Sequence, residues 1–213
     1  MIRLDLPLIG PAVSVLETAR VLASRHRSVA ILTHGDPGVG KSHLLDLLAA
    51  EITGSPFAVE RVNGQSLGID LVREWRQRAG YGNLFSSWTV KRIDELDEAS
   101  SSARAELLSY LDYMPDGLAI LASTNNYGRL RAESKGRLET RFKTFRVDAP
   151  SIEEARRYLR TQFRIPAGAS LAIAQGAVPD GCLPSEGVNM RACIEDAEAF
   201  AAAAAVRKTE VAA

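Results

Sequence analysis

Apolar residues along this chain recur in two periods, and the switches between them mark out its elements. Pro11 to His26 carries Val13, Leu16, Ala19, Leu22 and Ala23 at helical spacing, with proline at its start, which predicts a helix. Val29 to His34 is an apolar run of strand length, and 41–52 returns to helical spacing. Gly54-Ser55-Pro56 breaks the chain, Phe57 to Val62 reads as a second strand, and Asn63-Gly64 as a turn. Leu67 to Ala79 is a helix with Leu71, Val72 and Trp75 as its stripe, followed by a loop from Gly80 to Asn83. Trp88 to Ile93 is the third strand, and Ser100 to Met114 a serine-capped helix that Pro115-Asp116-Gly117 closes. Leu118 to Thr124 is an apolar fourth strand of the kind buried on both faces of a parallel sheet, and Phe142 to Val147 is a short fifth.

Beyond Pro150 no strand is readable. Ser151-Ile152-Glu153-Glu154 has a capping-box-like start and opens a helix to about Phe163. Ala167 to Gln175 is a second short helix, and Ser185 to Arg207 a third, ending in the alanine run 201–205, which alanine's propensity favours as helix. Strands alternating with helices predict an α/β fold, a doubly wound parallel five-stranded sheet, followed by a small C-terminal helical lid. The boundary falls after residue 150, with an α/β core over 1–150 and the lid over 151–213.

Between the first strand and the helix that follows stands Gly35-Asp36-Pro37-Gly38-Val39-Gly40-Lys41-Ser42, the pattern G-x-x-x-x-G-K-[ST]. Its strand-to-helix setting is the one its physics needs, and it makes the expected core over 1–150 a nucleotide-binding one of the P-loop NTPase type. Glycines let successive N–H groups bend toward one point, and the helix N-terminus adds partial positive charge there. Lys41 would reach the β and γ phosphates, and the Ser42 hydroxyl would complete the coordination of Mg²⁺.

The third strand ends Ile93-Asp94-Glu95. A phosphate loop needs a carboxylate at a neighbouring strand tip for the metal shell, which Asp94 supplies, and Glu95 would act as general base on the attacking water. Lys91 and Arg92 interrupt that strand, so its start is expected to be exposed or to face a partner. Just past the fourth strand, Asn125 and Asn126 would place an amide near the γ phosphate or simply make a turn. Arg141 precedes the fifth strand, and Arg191 lies early in the last helix; a surface ion pair and a solvated helix charge are the plain alternatives. Arg73, Arg76 and Arg78 would touch a phosphate backbone or line a solvated helix face.

Taken in order, these parts resemble the AAA+ ATPases over roughly residues 8 to 207, and within them the clamp-loader subunits most. The similarity to clamp loaders rests on Arg61-Val62-Asn63-Gly64 followed by Ile69-Asp70-Leu71-Val72-Arg73, and on Leu138-Glu139-Thr140-Arg141-Phe142. The resemblance implies Walker A at Gly35 to Ser42, Walker B at Asp94 and Glu95, sensor 1 at Asn125, an arginine finger at Arg141 and sensor 2 at Arg191. It implies ATP and Mg²⁺ as cofactors, with Leu8, Ile9 and Gly10 against the adenine; core packing is the other reading of Leu8 and Ile9. The implied nucleotide-binding set is Leu8, Ile9, Gly35, Asp36, Pro37, Gly38, Val39, Gly40, Lys41, Ser42, His43 and Arg191. The metal would be held through Ser42 and Asp94, and catalysis would fall to Glu95, Asn125 and Arg141. Three departures stand out. Clamp-loader subunits carry a helical collar, and a single AAA+ module without one is expected here. Lys91-Arg92 is unusual in Walker B. The interval from Gly187 to Arg191 is one residue longer than usual, unless Asn189 starts the helix.

With 213 residues, 46% hydrophobic and 24% charged, the chain is ordinary for a soluble globular protein. Its 26 basic and 26 acidic residues balance, so any basic surface must be local. Cys182 and Cys193 form no C-x-x-C pair and three scattered histidines suggest no zinc site. The start, Met1 to Pro7, does not read as a signal peptide, and no run is long enough to span a membrane, so a cytoplasmic protein without membrane contact is expected. Three functions remain open at this point. The first is an ATPase that remodels or loads a DNA-associated assembly, working as a homo- or hetero-oligomer with an arginine supplied in trans and with DNA or a DNA-bound protein as partner. The second is an ATP-dependent oligomeric scaffold with slow hydrolysis. The third is a small-molecule P-loop kinase, for which neither a basic phosphate-covering lid nor an acceptor site is readable.

Overall fold

Five parallel strands form one sheet in the order β2-β3-β4-β1-β5. They are β1 (Val29–His34), β2 (Val59–Asn63), β3 (Thr89–Asp94), β4 (Leu118–Thr124) and β5 (Lys143–Arg146). The computed structural model describes residues 6–211 apart from 80, 82 and 184–186, and side chains as far as residue 205. Gly80 and Gly82 of the expected loop, and Ser185 as a helix start, lie outside the described residues. The doubly wound α/β architecture is the one the alternation of elements predicts. The helices are α1 (Pro11–Arg25), α2 (Lys41–Thr53), α3 (Ile69–Arg78), α4 (Ser101–Leu111), α5 (Tyr127–Ser134), α6 (Ile152–Gln162), α7 (Ala167–Gly176) and α8 (Met190–Val211).

By its internal contacts the chain divides into two units. One holds Ser14–Gly35 and Lys41–Val147; the other holds the described residues of Asp5–Val13, Asp36–Gly40 and Asp148–Ala213. In the first, β4 is buried at every position, as a strand covered on both faces of a parallel sheet must be. Leu32, Ile93 and Ile120 join Val72 and Trp75 of α3 and Leu107 and Leu111 of α4 in one apolar cluster. Ser100 starts α4 by accepting the Ala103 N–H, and Asn126 starts α5 by accepting the Arg129 N–H. Helix α5 has no counterpart in the sequence reading: only Leu130 within it is buried, so it carries no apolar stripe.

The second unit packs α6, α7 and α8 around Ala155, Leu159, Ala174, Cys193 and Ala197, with Ile9 against the same cluster. The capping box at α6 is complete: Ser151 accepts the Glu154 N–H, and the Glu154 carboxylate accepts the Ser151 N–H. Helix α8 begins at Met190 because the Asn189 side chain accepts the N–H groups of Arg191 and Ala192 at 3.0 and 3.3 Å. That resolves the long Gly187 to Arg191 interval in favour of an asparagine cap. Burial pushes the Cys193 thiol up to about 11, so it stays protonated and packs as a small apolar group; Cys182 is exposed. Among the described residues no helix is long and apolar enough to cross a membrane.

One expectation is overturned. Lys91 and Arg92 do not lie on an exposed strand start: Lys91 is 8% exposed and Arg92 fully buried. Strand β3 runs between β2 and β4, so both its edges are paired; its four central residues are buried, and each charge is neutralised inside the first unit. Lys91 donates to Glu60 at 2.5 Å and lies over the Trp75 ring, while the Trp75 indole N–H donates to the other Glu60 oxygen at 2.8 Å. Burial works against the Glu60 carboxylate, but those two hydrogen bonds and the Lys91 charge hold it below the usual range.

Candidate active site

All strands run the same way, so β1, β3 and β4 end at one edge of the sheet, and their tips carry the polar residues of the site. From the β1 tip the chain enters the glycine loop. Gly35, Gly38 and Gly40 have φ of 148°, 83° and 98°, a backbone that side chains with a β-carbon resist. Lys41 is buried at the α2 N-terminus and donates to the Gly35 carbonyl at 2.8 Å, curling back over its own loop. Asp36 and Pro37 are exposed, Val39 is buried, and His43 is half-buried in the first turn of α2.

Ser42 and Asp94 meet directly. The Ser42 hydroxyl donates to Asp94 Oδ1 at 2.9 Å, and the Ser123 hydroxyl of β4 donates to the same oxygen at 3.0 Å. A third donor to that oxygen, the Arg92 guanidinium at 2.8 Å, has no counterpart in the sequence reading. Arg92 also donates to the carbonyls of Ser42 (3.2 Å) and Ile93 (3.1 Å), and its Nε lies 3.5 Å from Asp46 Oδ1. That Nε makes no hydrogen bond, so its link to Asp46 is electrostatic alone. Burial opposes the charge on Asp94, yet Arg92 and the two hydroxyls outweigh it and hold the carboxyl below its usual range.

Glu95 sits one residue on, with φ 54° and ψ 52°, a left-handed conformation uncommon outside glycine. Its carboxylate accepts from two amides, Asn63 of β2 at 3.1 Å and Asn125 at 3.4 Å. Asn63 reads in the sequence only as a turn residue, and it does cap the turn after β2; nothing local signals its second role. The buried Asp97 accepts the Thr124 hydroxyl at 2.6 Å, tying the β3 turn to the β4 tip and so setting Asn125 beside Glu95. His34, at the β1 tip, stacks on Tyr127 with ring centroids 4.1 Å apart.

In the second unit, Gly38 of the glycine loop lies against the start of α8. The Met190 N–H donates to the Gly38 carbonyl at 3.1 Å, and a β-carbon on Gly38 would fall 1.9 Å from Asn189 Oδ1. Leu8 is within 3.9 Å of where a Gly40 β-carbon would stand, and Arg191 is exposed on α8. Ile9, as noted, packs into the helical cluster.

A sequence profile described as the ATPase family associated with various cellular activities (AAA) matches residues 31–146, more than half of the 213-residue chain. The chain belongs to the AAA family. No curated protein sequence matches it. Its fold is shared with solved structures from Thermotoga maritima. One is a DNA polymerase III gamma subunit-related protein, at 18% identity and TM-score 0.59, covering 70% of this chain and 50% of that one. Another is the RuvB Holliday junction branch migration motor, at 16% identity and TM-score 0.59, covering 90% of this chain and 70% of that one. This AAA chain thus spans about half the length of the first.

Arg141 is not part of the cluster around Asp94. It precedes β5, and Asp112 lies between α4 and β4, so both sit at the strand-start edge of the sheet, opposite the strand ends that carry Asp94 and Asn125. Arg141 donates to both Asp112 oxygens, at 2.7 and 3.2 Å, and the Arg141 hydrogen bond holds the Asp112 carboxyl below its usual range. Arg73, Arg76 and Arg78 are likewise engaged: Arg73 with Asp70 and Glu106, Arg76 with Glu106, and Arg78 with Glu74.

Gly64 is what lets β2 approach the AAA chain's Glu95 turn, because a β-carbon there would fall 2.0 Å from the Glu95 carbonyl oxygen. Gly64→Ala is therefore expected to push the Glu95 turn away and to destabilise the fold by about 1 to 3 kcal/mol, read as a lower melting temperature. A variant that melts with the wild type would show that this close approach is not a constraint on the turn.

Proposed function

We propose that this chain is a Mg²⁺-dependent ATPase that works as an oligomer to remodel or load a DNA-associated assembly. The reading is carried by Ser42 and Asp94 at 2.9 Å, with Glu95 next in the chain and Asn125 within reach of it. That donor set fits a nucleotide-bound magnesium ion: a hydroxyl at a helix N-terminus and an ionised carboxylate are the hard oxygen ligands the ion favours beside phosphate. The ion, when bound, neutralises phosphate charge. Lys41 leaves the Gly35 carbonyl for the phosphates, and the loop N–H groups bind them. Glu95 takes the proton of the attacking water at a carboxylate oxygen, and Asn125 orients that water. In the second unit, Arg191 and Leu8 are the candidates for contact with the nucleotide, while Ile9 packs into the helical cluster.

Arg141, at the strand-start edge, serves the site of an adjacent subunit, and to do so it must leave Asp112. Arginines supplied in trans are worth about 10³ to 10⁵ in rate, so an isolated monomer hydrolyses slowly and assembly is the switch. The same Arg141–Asp112 pair favours a second reading, a nucleotide-dependent scaffold that turns over slowly. A DNA setting is supported by the names of the two proteins of like fold, one tied to Holliday junction branch migration and one to the polymerase III gamma subunit.

Size-exclusion chromatography with light scattering tests this, run with and without a non-hydrolysable ATP analogue and with and without DNA. The analogue is expected to raise the mass from one chain to several. Analogue bound without any rise in mass would overturn the arrangement in trans, and failure of the analogue to bind would overturn the ATPase.

A further inference from the structure

We infer that the cleft lined by α6 and the turn leading to α7 binds the phosphodiester backbone of a nucleic acid strand. The inference names a partner surface and rests on the DNA-associated setting proposed above; the geometry stands on its own. The cleft has a volume of about 580 Å³, and its lining includes Arg156, Arg157, Arg160, Arg164, Thr161 and Glu153. Four arginines thus face a single carboxylate in a chain whose overall charge is zero. Glu153 is committed to Arg156 at 2.9 Å, and the Arg156 Nε stays buried without a hydrogen-bond partner. Among the described residues, the guanidinium groups of Arg157, Arg160 and Arg164 make no ion pair or hydrogen bond, and all three residues are exposed.

The contrast with α3 is what gives this cluster meaning. There each arginine has a carboxylate of its own chain within 3.7 Å, so its charge is already spent. On α6 the charge is available. Arg157 and Arg160 are one turn apart, about 4.5 Å along the helix axis. Arg164 follows the helix end with φ 54°, a position glycine usually takes, and the turn is closed by the Ile165 N–H donating to the Leu159 carbonyl at 3.4 Å. A strand of phosphates presents repeated charges at a comparable interval, and guanidinium forks match phosphate oxygens. Thr161 adds a hydroxyl on the same wall. The cleft is open and lined by charge, which suits a backbone laid across it.

The test is fluorescence anisotropy with a labelled 30-nucleotide single strand and the matching duplex, over a salt series, for the full chain and for R157Q/R160Q/R164Q. These residues lie outside the ATP-handling set, so the variant should keep the wild-type melting temperature and ATP-analogue affinity. Expected are binding by the wild type at low salt, at least a tenfold loss in the variant, and a shallower salt dependence, the slope of log K against log salt falling by about two to three. Equal affinity and slope in the variant would overturn the proposal, as would no binding by the wild type at low salt. Full displacement of the strand by millimolar inorganic phosphate, with no gain in affinity for longer strands, would make the cleft a pocket for free phosphate instead and likewise overturn it. Failure of the ATP analogue to bind would sink the ATPase reading alone, since the anisotropy result does not depend on it.

Discussion

Glu95→Gln is expected to bind ATP as the wild type does and to hydrolyse it about 10² to 10⁴ times more slowly. Glutamine keeps the size and the hydrogen-bonding reach of the side chain but cannot accept a proton from water, and loss of a positioned general base costs that much. The surroundings should tolerate the change. Glu95 accepts from the Asn63 and Asn125 amides at 3.1 and 3.4 Å, and the glutamine oxygen can keep one of these bonds while its nitrogen turns outward. The left-handed backbone at this position is unaltered, since both residues carry the same β-carbon. Single-turnover hydrolysis and equilibrium binding of a fluorescent analogue, measured on the same preparation, separate the two quantities. Hydrolysis within threefold of wild type would remove Glu95 from the chemistry. An accompanying loss of binding would mean that the side chain holds the loop together. In light scattering with ATP the variant should accumulate as an ATP-bound oligomer whether the chain is a remodeller or a scaffold; an assay of its effect on a partner separates the two, since only a remodeller should lose it.

Arg92→Met is expected to cost about 3 to 5 kcal/mol of stability, because it removes the cation from a buried ion pair and strands the acids around it. At this chain length that is a fall in melting temperature of roughly 10 °C. Arg92 is fully buried, 2.8 Å from Asp94 and 3.5 Å from Asp46, and it ties the Ser42 carbonyl of α2 to β3. Arg61 still reaches Asp46 at 3.3 Å, so Asp94 bears most of the loss. The pH dependence should change with it. Burial disfavours the Asp94 carboxylate, but Arg92 and the hydroxyls of Ser42 and Ser123 prevail, so its folded pKa lies below its unfolded one. The stabilisation is therefore complete above the unfolded value, about 3.9, and drains away as pH falls through the lower folded value. Without Arg92 that depression shrinks, so the variant should lose less stability than the wild type on going from pH 5 to pH 3. Thermal melts across that range check both statements. A variant that melts with the wild type at pH 7 would show that the buried cation is dispensable.

The glycine bend was readable because its physics is local. Its glycines, its lysine and the helix that follows are contiguous, and the bend they make depends on no distant partner. The same holds for the capping box at Ser151 and Glu154, whose two residues lie three positions apart. Helix α5 was missed because one buried leucine makes no period. The charges of β3 were misread because an arginine inside a strand signals exposure unless its acids can be seen, and Asp46 and Glu60 lie on other elements.

By itself, then, the sequence determined that this is a parallel α/β AAA chain with a glycine bend at the tip of its first strand, since strand, bend and helix are each specified by adjacent residues. Only the tertiary structure decided which charges are satisfied. It gave Arg92 to Asp94, Arg141 to Asp112 and the α3 arginines to their own carboxylates, brought Asn63 to Glu95, and among the described residues left Arg157, Arg160 and Arg164 without an acid. Ion pairs and hydrogen bonds form between groups a few ångströms apart in space, and the strand order β2-β3-β4-β1-β5 makes neighbours of residues that the chain holds far apart.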